Sequence, residues 1–130
     1  MISLKTAKAL KDAGLEWEYE YGFPRDCVYY KDKIHGVDGP GALDTIRLAP
    51  WQNYVKREYL VFAPSLFQLL AEIEKRGYVW SLSKISEPPQ YYMISGKDGE
   101  ISALKTHYSS DSPEEAAAAA LLWVMKEGIA

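Results

Sequence analysis

Ser112-Pro113-Glu114-Glu115-Ala116-Ala117-Ala118-Ala119-Ala120-Leu121-Leu122-Trp123-Val124-Met125-Lys126-Glu127-Gly128 is the stretch around which this chain is organised. Ser112 with Glu115 three residues on forms a capping-box pattern, and Pro113 stands at the first helical position, where a missing N–H costs nothing. Two glutamates face the positive end of the helix dipole, Lys126 lies in the last turn, and Gly128 suits a left-handed stop. Between those ends run ten apolar residues, 116–125, without a charge. A helix of that length spans about 15 Å, against roughly 30 Å for a bilayer core, so it is no membrane anchor. Such a helix needs cover, and the remainder of the chain is read as its cover.

Upstream, two further helices carry their own punctuation. Residues 3–14 start at Ser3, place Leu4, Ala7, Leu10 and Ala13 on one face with Lys5, Lys8 and Lys11 toward water, and stop at Gly14. Ser65 with Gln68 is a second capping box, followed by Leu66, Leu69, Leu70 and Ile73 at helical spacing and closed by Gly77. Strand patterns fill the gaps. Aromatics alternate with Glu16, Glu18 and Glu20 across 16–21, Cys27–Tyr30 resumes after a break, and Tyr59–Phe62 is brief and apolar. Tyr78–Ile85, Tyr91–Ser95 and Glu100–Tyr108 follow, joined by Glu87-Pro88-Pro89 and by Gly96-Lys97-Asp98-Gly99. A 63-residue shift superposes the first two helices and their glycine stops, an echo that helix geometry alone also produces.

Residues 31–57 read differently, as a long irregular loop with one short strand pattern between Leu43 and Leu48. The expected fold is α+β: one domain of 130 residues, an antiparallel sheet with three helices packed on it, in the order α-β-β-(β)-α-β-β-β-α.

Composition narrows the function classes. A net charge of −3 gives no general attraction to nucleic acid or anionic lipid. The single cysteine forms no internal disulfide, and the N-terminal stretch lacks a signal-peptide core, so a reducing, cytoplasmic setting is expected, with no membrane association. Cys27, His35 and His107 stand apart from one another without ligand spacing, and no metal or cofactor is expected. Asp38 and Asp44 beside His35 belong to a solvated loop, and the glutamates at 16, 18 and 20 to the wet face of a strand. Gly36-Val37-Asp38-Gly39-Pro40-Gly41 has no following Lys-Ser or Lys-Thr and is not a phosphate loop. No catalytic residue is expected.

Ten Tyr and four Trp are the unusual feature. Trp51-Gln52-Asn53-Tyr54-Val55-Lys56-Arg57-Glu58-Tyr59 interleaves aromatics with adjacent cations, which makes Trp51, Tyr54, Lys56 and Arg57 the candidate binding residues. An exposed aromatic patch there fits an unknown protein partner. Single-stranded nucleic acid is the alternative ligand, not favoured because the strand at 16–21 is acidic. An enzyme ranks third. The apolar C-terminal helix adds the option of a symmetric dimer through its exposed side, set against burial within one subunit.

Three places in the chain resemble a group of small uncharacterised proteins of phages, prophages and bacterial genomes. They are Thr6-Ala7-Lys8-Ala9-Leu10-Lys11-Asp12-Ala13-Gly14, Phe62-Ala63-Pro64-Ser65-Leu66 and Ser112-Pro113-Glu114-Glu115-Ala116, together less than a third of the chain. All three are caps and helix starts. The resemblance implies a mobile-element origin and an accessory role, and carries no catalytic residue with it.

Overall fold

A computed structural model describes residues 1–16, 26–41, 44–49, 53–86, 89–97, 107–110 and 112–127. The class is α+β, with three helices and antiparallel strands in the expected order. The chain forms two compact units, one of Ser3–Pro64 and one of Met1–Ile2 with Ser65–Ala130.

The first unit opens with α1 (Leu4–Asp12), whose N-cap Ser3 accepts a hydrogen bond from the Thr6 N–H. Ala7 and Leu10 are its buried residues, as the spacing requires, and Gly14 ends it at φ +100. Lys11 is exposed, yet its ammonium donates to the carbonyls of Glu58 at 3.3 Å and Leu60 at 3.2 Å. A lysine that the pattern assigns to water thus ties α1 to the chain beyond residue 57.

The sheet of this unit corrects the expectation for residues 31–57. Three strands lie there: β2 (Lys33–Pro40), β3 (Thr45–Ala49) and β4 (Asn53–Lys56). They join β1 (Cys27–Tyr30) and β5 (Val61–Ala63) in the order β4-β3-β2-β1-β5, antiparallel throughout. β1 turns into β2 through Lys31 and Asp32, both at positive φ, 50 and 63, the two-residue hairpin geometry usually taken by Asn-Gly. The glycines and proline of β2 sit where a sheet tolerates them. A register shift between Val37 and Gly39 accommodates Asp38, and Pro40 faces Ile46 at the strand end. Val28, Val37, Ile46, Leu48, Val55 and Leu60 form one buried cluster, with Tyr30 and Phe62 packed against it. The alternation that fills this core is short in each strand, which is why it is faint in the sequence.

The second unit holds α2 (Leu66–Lys75), β6 (Tyr78–Ser86), β7 (Pro89–Lys97), β8 (His107–Ser110) and α3 (Pro113–Glu127). Ser65 and Gln68 make both halves of the expected capping box, and Gly77 follows at φ +85. The strands pair β6-β7-β8, so the single sheet expected for the whole chain is two sheets among the described residues. Every described pairing joins strands that both precede or both follow α2 in the chain.

α3 packs on α2 and on all three of these strands. Ala116, Ala117, Ala118, Ala120, Leu121 and Val124 are fully buried, and the small alanines let α3 lie close to its neighbours. Trp123 is half-buried and meets Tyr78 edge-on at 5.9 Å. The stripe Ala119, Leu122 and Trp123 is all that α3 leaves half-covered along its apolar run. Most of the surface considered for a dimer is therefore core of one chain. The Ser112 hydroxyl accepts from the Glu115 N–H, as expected of the cap. Residues 17–21 of the expected strand at 16–21, Glu87-Pro88 of one expected turn, Asp98-Gly99 of the other, residues 100–106 of the last expected strand and the stop at Gly128 lie outside the described residues.

Candidate functional site

In β4, alternation sorts Tyr54, Val55 and Lys56 between the two faces of the sheet. Val55 is 8% exposed and joins the core cluster, whereas Tyr54 is 58% exposed and Lys56 is also exposed. Tyr54 and Lys56, two residues apart, therefore share the outward face of the sheet. Across the ladder, Tyr54 faces Arg47 and Lys56 faces Thr45. The Arg47 guanidinium is engaged by Asp38 at 3.0 Å, which neutralises it, while Lys56 presents its ammonium on this face.

Tyr54 is positioned by its neighbour Gly41. A Cβ on Gly41 would stand 2.4 Å from Tyr54 Cδ1, 2.5 Å from Cε1 and 2.5 Å from Thr45 Oγ1. One side of the ring thus rests on the Gly41 backbone, and the remainder is open to solvent. Arg57 follows β4 as the first residue of a 3-10 turn, Arg57–Tyr59, and is exposed. Tyr59, at the end of that turn, is 59% exposed. Of the four expected binding residues, the structure brings Tyr54 and Lys56 onto one face and sets Arg57 at its end. Trp51 lies outside the described residues. Tyr59 was part of the motif and belongs with this surface. In the other unit, Phe67 of α2 is 81% exposed, in keeping with its position off the Leu66-Leu69-Leu70-Ile73 stripe.

A cavity of about 470 Å³ is lined in part by Arg57 and Glu58 of the 3-10 turn. Leu60, Leu15 and Phe62 form its covered end, and Lys11, Glu16, Arg57 and Glu58 stand at its exposed rim. Two cations and two carboxylates leave that rim without net charge.

The groups considered for catalysis are not assembled. Cys27 lies opposite Gly36, and His35 opposite Val28, so adjacent strands turn the thiol and the imidazole to opposite faces. His35 packs instead against the Tyr30 ring at 6.3 Å. Burial pushes the Cys27 thiol up from its ordinary value, and the nearby Asp26 carboxylate adds to the rise, which works against a thiolate. His107 begins β8 in the other unit. Among the described residues no three His, Cys, Asp or Glu gather as a metal site would require, and no helix is long and apolar enough to cross a membrane.

No family model matches this chain. Searches of curated proteins and of solved structures likewise return no match.

Proposed function

We propose that this chain is a small non-enzymatic accessory domain of the phage and prophage type that works by binding a partner protein on the outward surface of β4 and the turn after it. The observation that carries this reading is the presentation of Tyr54 and Lys56 on one face, with Arg57 and Tyr59 immediately beyond. Tyr and Arg are residue types that protein interfaces favour, and Tyr54 and Arg57 supply both here, with the Lys56 ammonium adding charge selection of the partner. The resemblance in the three helix caps supports the accessory role. The separation of Cys27 from His35 supports a non-enzymatic one.

A photocrosslinking amino acid at Tyr54 or at Lys56 tests this in an extract of the native host. The same partner should be captured from both positions, not from Lys75 on α2, and capture at position 54 should fail when Lys56→Glu is added. Capture that ignores Lys56→Glu would overturn the reading.

The second reading is binding of single-stranded nucleic acid, favoured by that same pairing of Tyr54 with Lys56. It is weakened by the neutralisation of Arg47 through Asp38 and by Glu58 beside Arg57. A fluorescence titration with oligothymidylate at two salt concentrations separates the two. The protein reading expects no binding even at low salt, and steeply salt-dependent binding would replace it with the nucleic-acid one.

A further inference from the structure

We propose that β4 is completed by an extended acidic segment of the partner protein, added as a sixth strand to the five-stranded sheet. This rests on the reading of β4 as a protein-binding surface, and names what binds there and how.

Hydrogen-bond parity decides which backbone groups of β4 are open. In an antiparallel ladder, hydrogen-bonded and non-bonded pairs alternate. The Arg57 N–H donates to the Asp44 carbonyl at 2.7 Å, which makes 44 with 57 a bonded pair. The register then makes Ile46 with Val55 and Leu48 with Asn53 bonded, and Arg47 with Tyr54 and Thr45 with Lys56 non-bonded. The other side of β3 agrees, since the Gly41 N–H donates to the Thr45 carbonyl at 2.7 Å. Tyr54 and Lys56 consequently turn their N–H and C=O groups away from β3. Among the described residues β4 pairs with β3 alone, so these two donors and two acceptors line an open edge, about 7 Å apart along the strand. At the opposite margin of the sheet, Lys11 of α1 already occupies the Leu60 carbonyl just before β5.

The side chains select the occupant. A strand on this edge places residues opposite Tyr54 and Lys56 on the outward face, with the residue between them beside Val55 on the core face. Lys56 favours an acidic neighbour, Tyr54 an aromatic or β-branched one, and Val55 an apolar one. The partner motif is therefore acidic–apolar–aromatic, in either chain direction, and main-chain bonding supplies the rest as in other strand-addition complexes. A second copy of this chain fits less well. Two-fold pairing centred on Val55 sets the two Lys56 ammoniums diagonally across one face, and an edge lysine is a common guard against such self-pairing.

The test uses the full chain, labelled with ¹⁵N, and the peptide acetyl-Thr-Val-Glu-Val-Tyr-Val-Thr-amide. Titration should shift the Tyr54 and Lys56 amides and slow their hydrogen exchange. Replacing the peptide's Glu by Lys should weaken binding about tenfold. N-methylation of one alternate set of peptide residues should abolish binding, while N-methylation of the other set leaves it within about threefold. Binding that moves these amides without any dependence on N-methylation parity would overturn strand addition and leave the protein-binding reading standing. A peptide that perturbs nothing on β4, or equal binding of the Lys and Glu peptides, overturns the proposal outright. So does protection of the same amides by concentration-dependent dimerisation, which would put a second copy on the edge.

Discussion

Gly41→Ala is the perturbation that best probes how the Tyr54 surface is held. The added Cβ would stand 2.4 Å and 2.5 Å from two atoms of the Tyr54 ring and 2.5 Å from Thr45 Oγ1, well inside van der Waals contact. Gly41 is not at positive φ, so the alanine backbone itself is unstrained and would on its own stabilise by about 0.4–1 kcal/mol through the unfolded state. Overpacking of this kind costs about 1–3 kcal/mol. The balance in the wild-type background is a loss of about 1 kcal/mol. In a Tyr54→Ala background two of the three short contacts vanish and only the Thr45 hydroxyl remains to move. A double-mutant cycle by urea denaturation should therefore return a coupling of about 1 kcal/mol between Gly41→Ala and Tyr54→Ala, the alanine at 41 being less harmful once the ring is gone. Equal effects of Gly41→Ala in both backgrounds would refute the placement of the ring against Gly41, and with it the fixed orientation of Tyr54 on the outward face of the sheet.

Three further outcomes follow from other contacts. Asp32→Val puts a β-branched residue at φ 63 in the β1–β2 turn and should destabilise by about 1–2 kcal/mol in the same assay. Lys11→Met removes the ammonium that donates to the Glu58 and Leu60 carbonyls, and should cost about 1 kcal/mol with faster amide exchange in α1. For Glu114, burial works to raise the carboxyl, but its own backbone N–H, the Ser112 hydroxyl and the Met1 ammonium together hold it below its ordinary 4.5. A carboxyl depressed in the folded state contributes stability above its unfolded pKa and loses it as pH falls through the folded one. Glu114→Gln should thus lower stability by about 0.5 kcal/mol at pH 7, and the difference from wild type should shrink as pH falls below 4.5.

The parts of this chain that were legible in its sequence are those whose signals are local. Ser3, Ser65 and Ser112 each cap the helix they precede, because a side-chain oxygen three residues from an N–H is a short-range arrangement. Strands β6 and β7 were legible for a related reason, two strand patterns separated in the sequence by Glu87-Pro88-Pro89. Residues 33–56 hid their three strands because the signals there are non-local. Lys31-Asp32 makes a left-handed turn without a glycine, Gly36 and Gly39 lie within β2, and Ile46, Leu48 and Val55 reveal a face only when the strands are side by side. The candidate site shows the same division. The alternation Tyr54-Val55-Lys56 is readable in the chain, whereas the neutralisation of Arg47 by Asp38 and the parity that frees Tyr54 and Lys56 depend on register.

Amide hydrogen exchange along β4 in the free protein tests the central claim most directly. With Val55 bonded to β3 and Tyr54 and Lys56 turned to an open edge, the Val55 amide should be protected while those of Tyr54 and Lys56 exchange at rates near those of an unstructured chain. Comparable protection at all three positions would mean that the edge is already paired, and would contradict β4 as the binding strand.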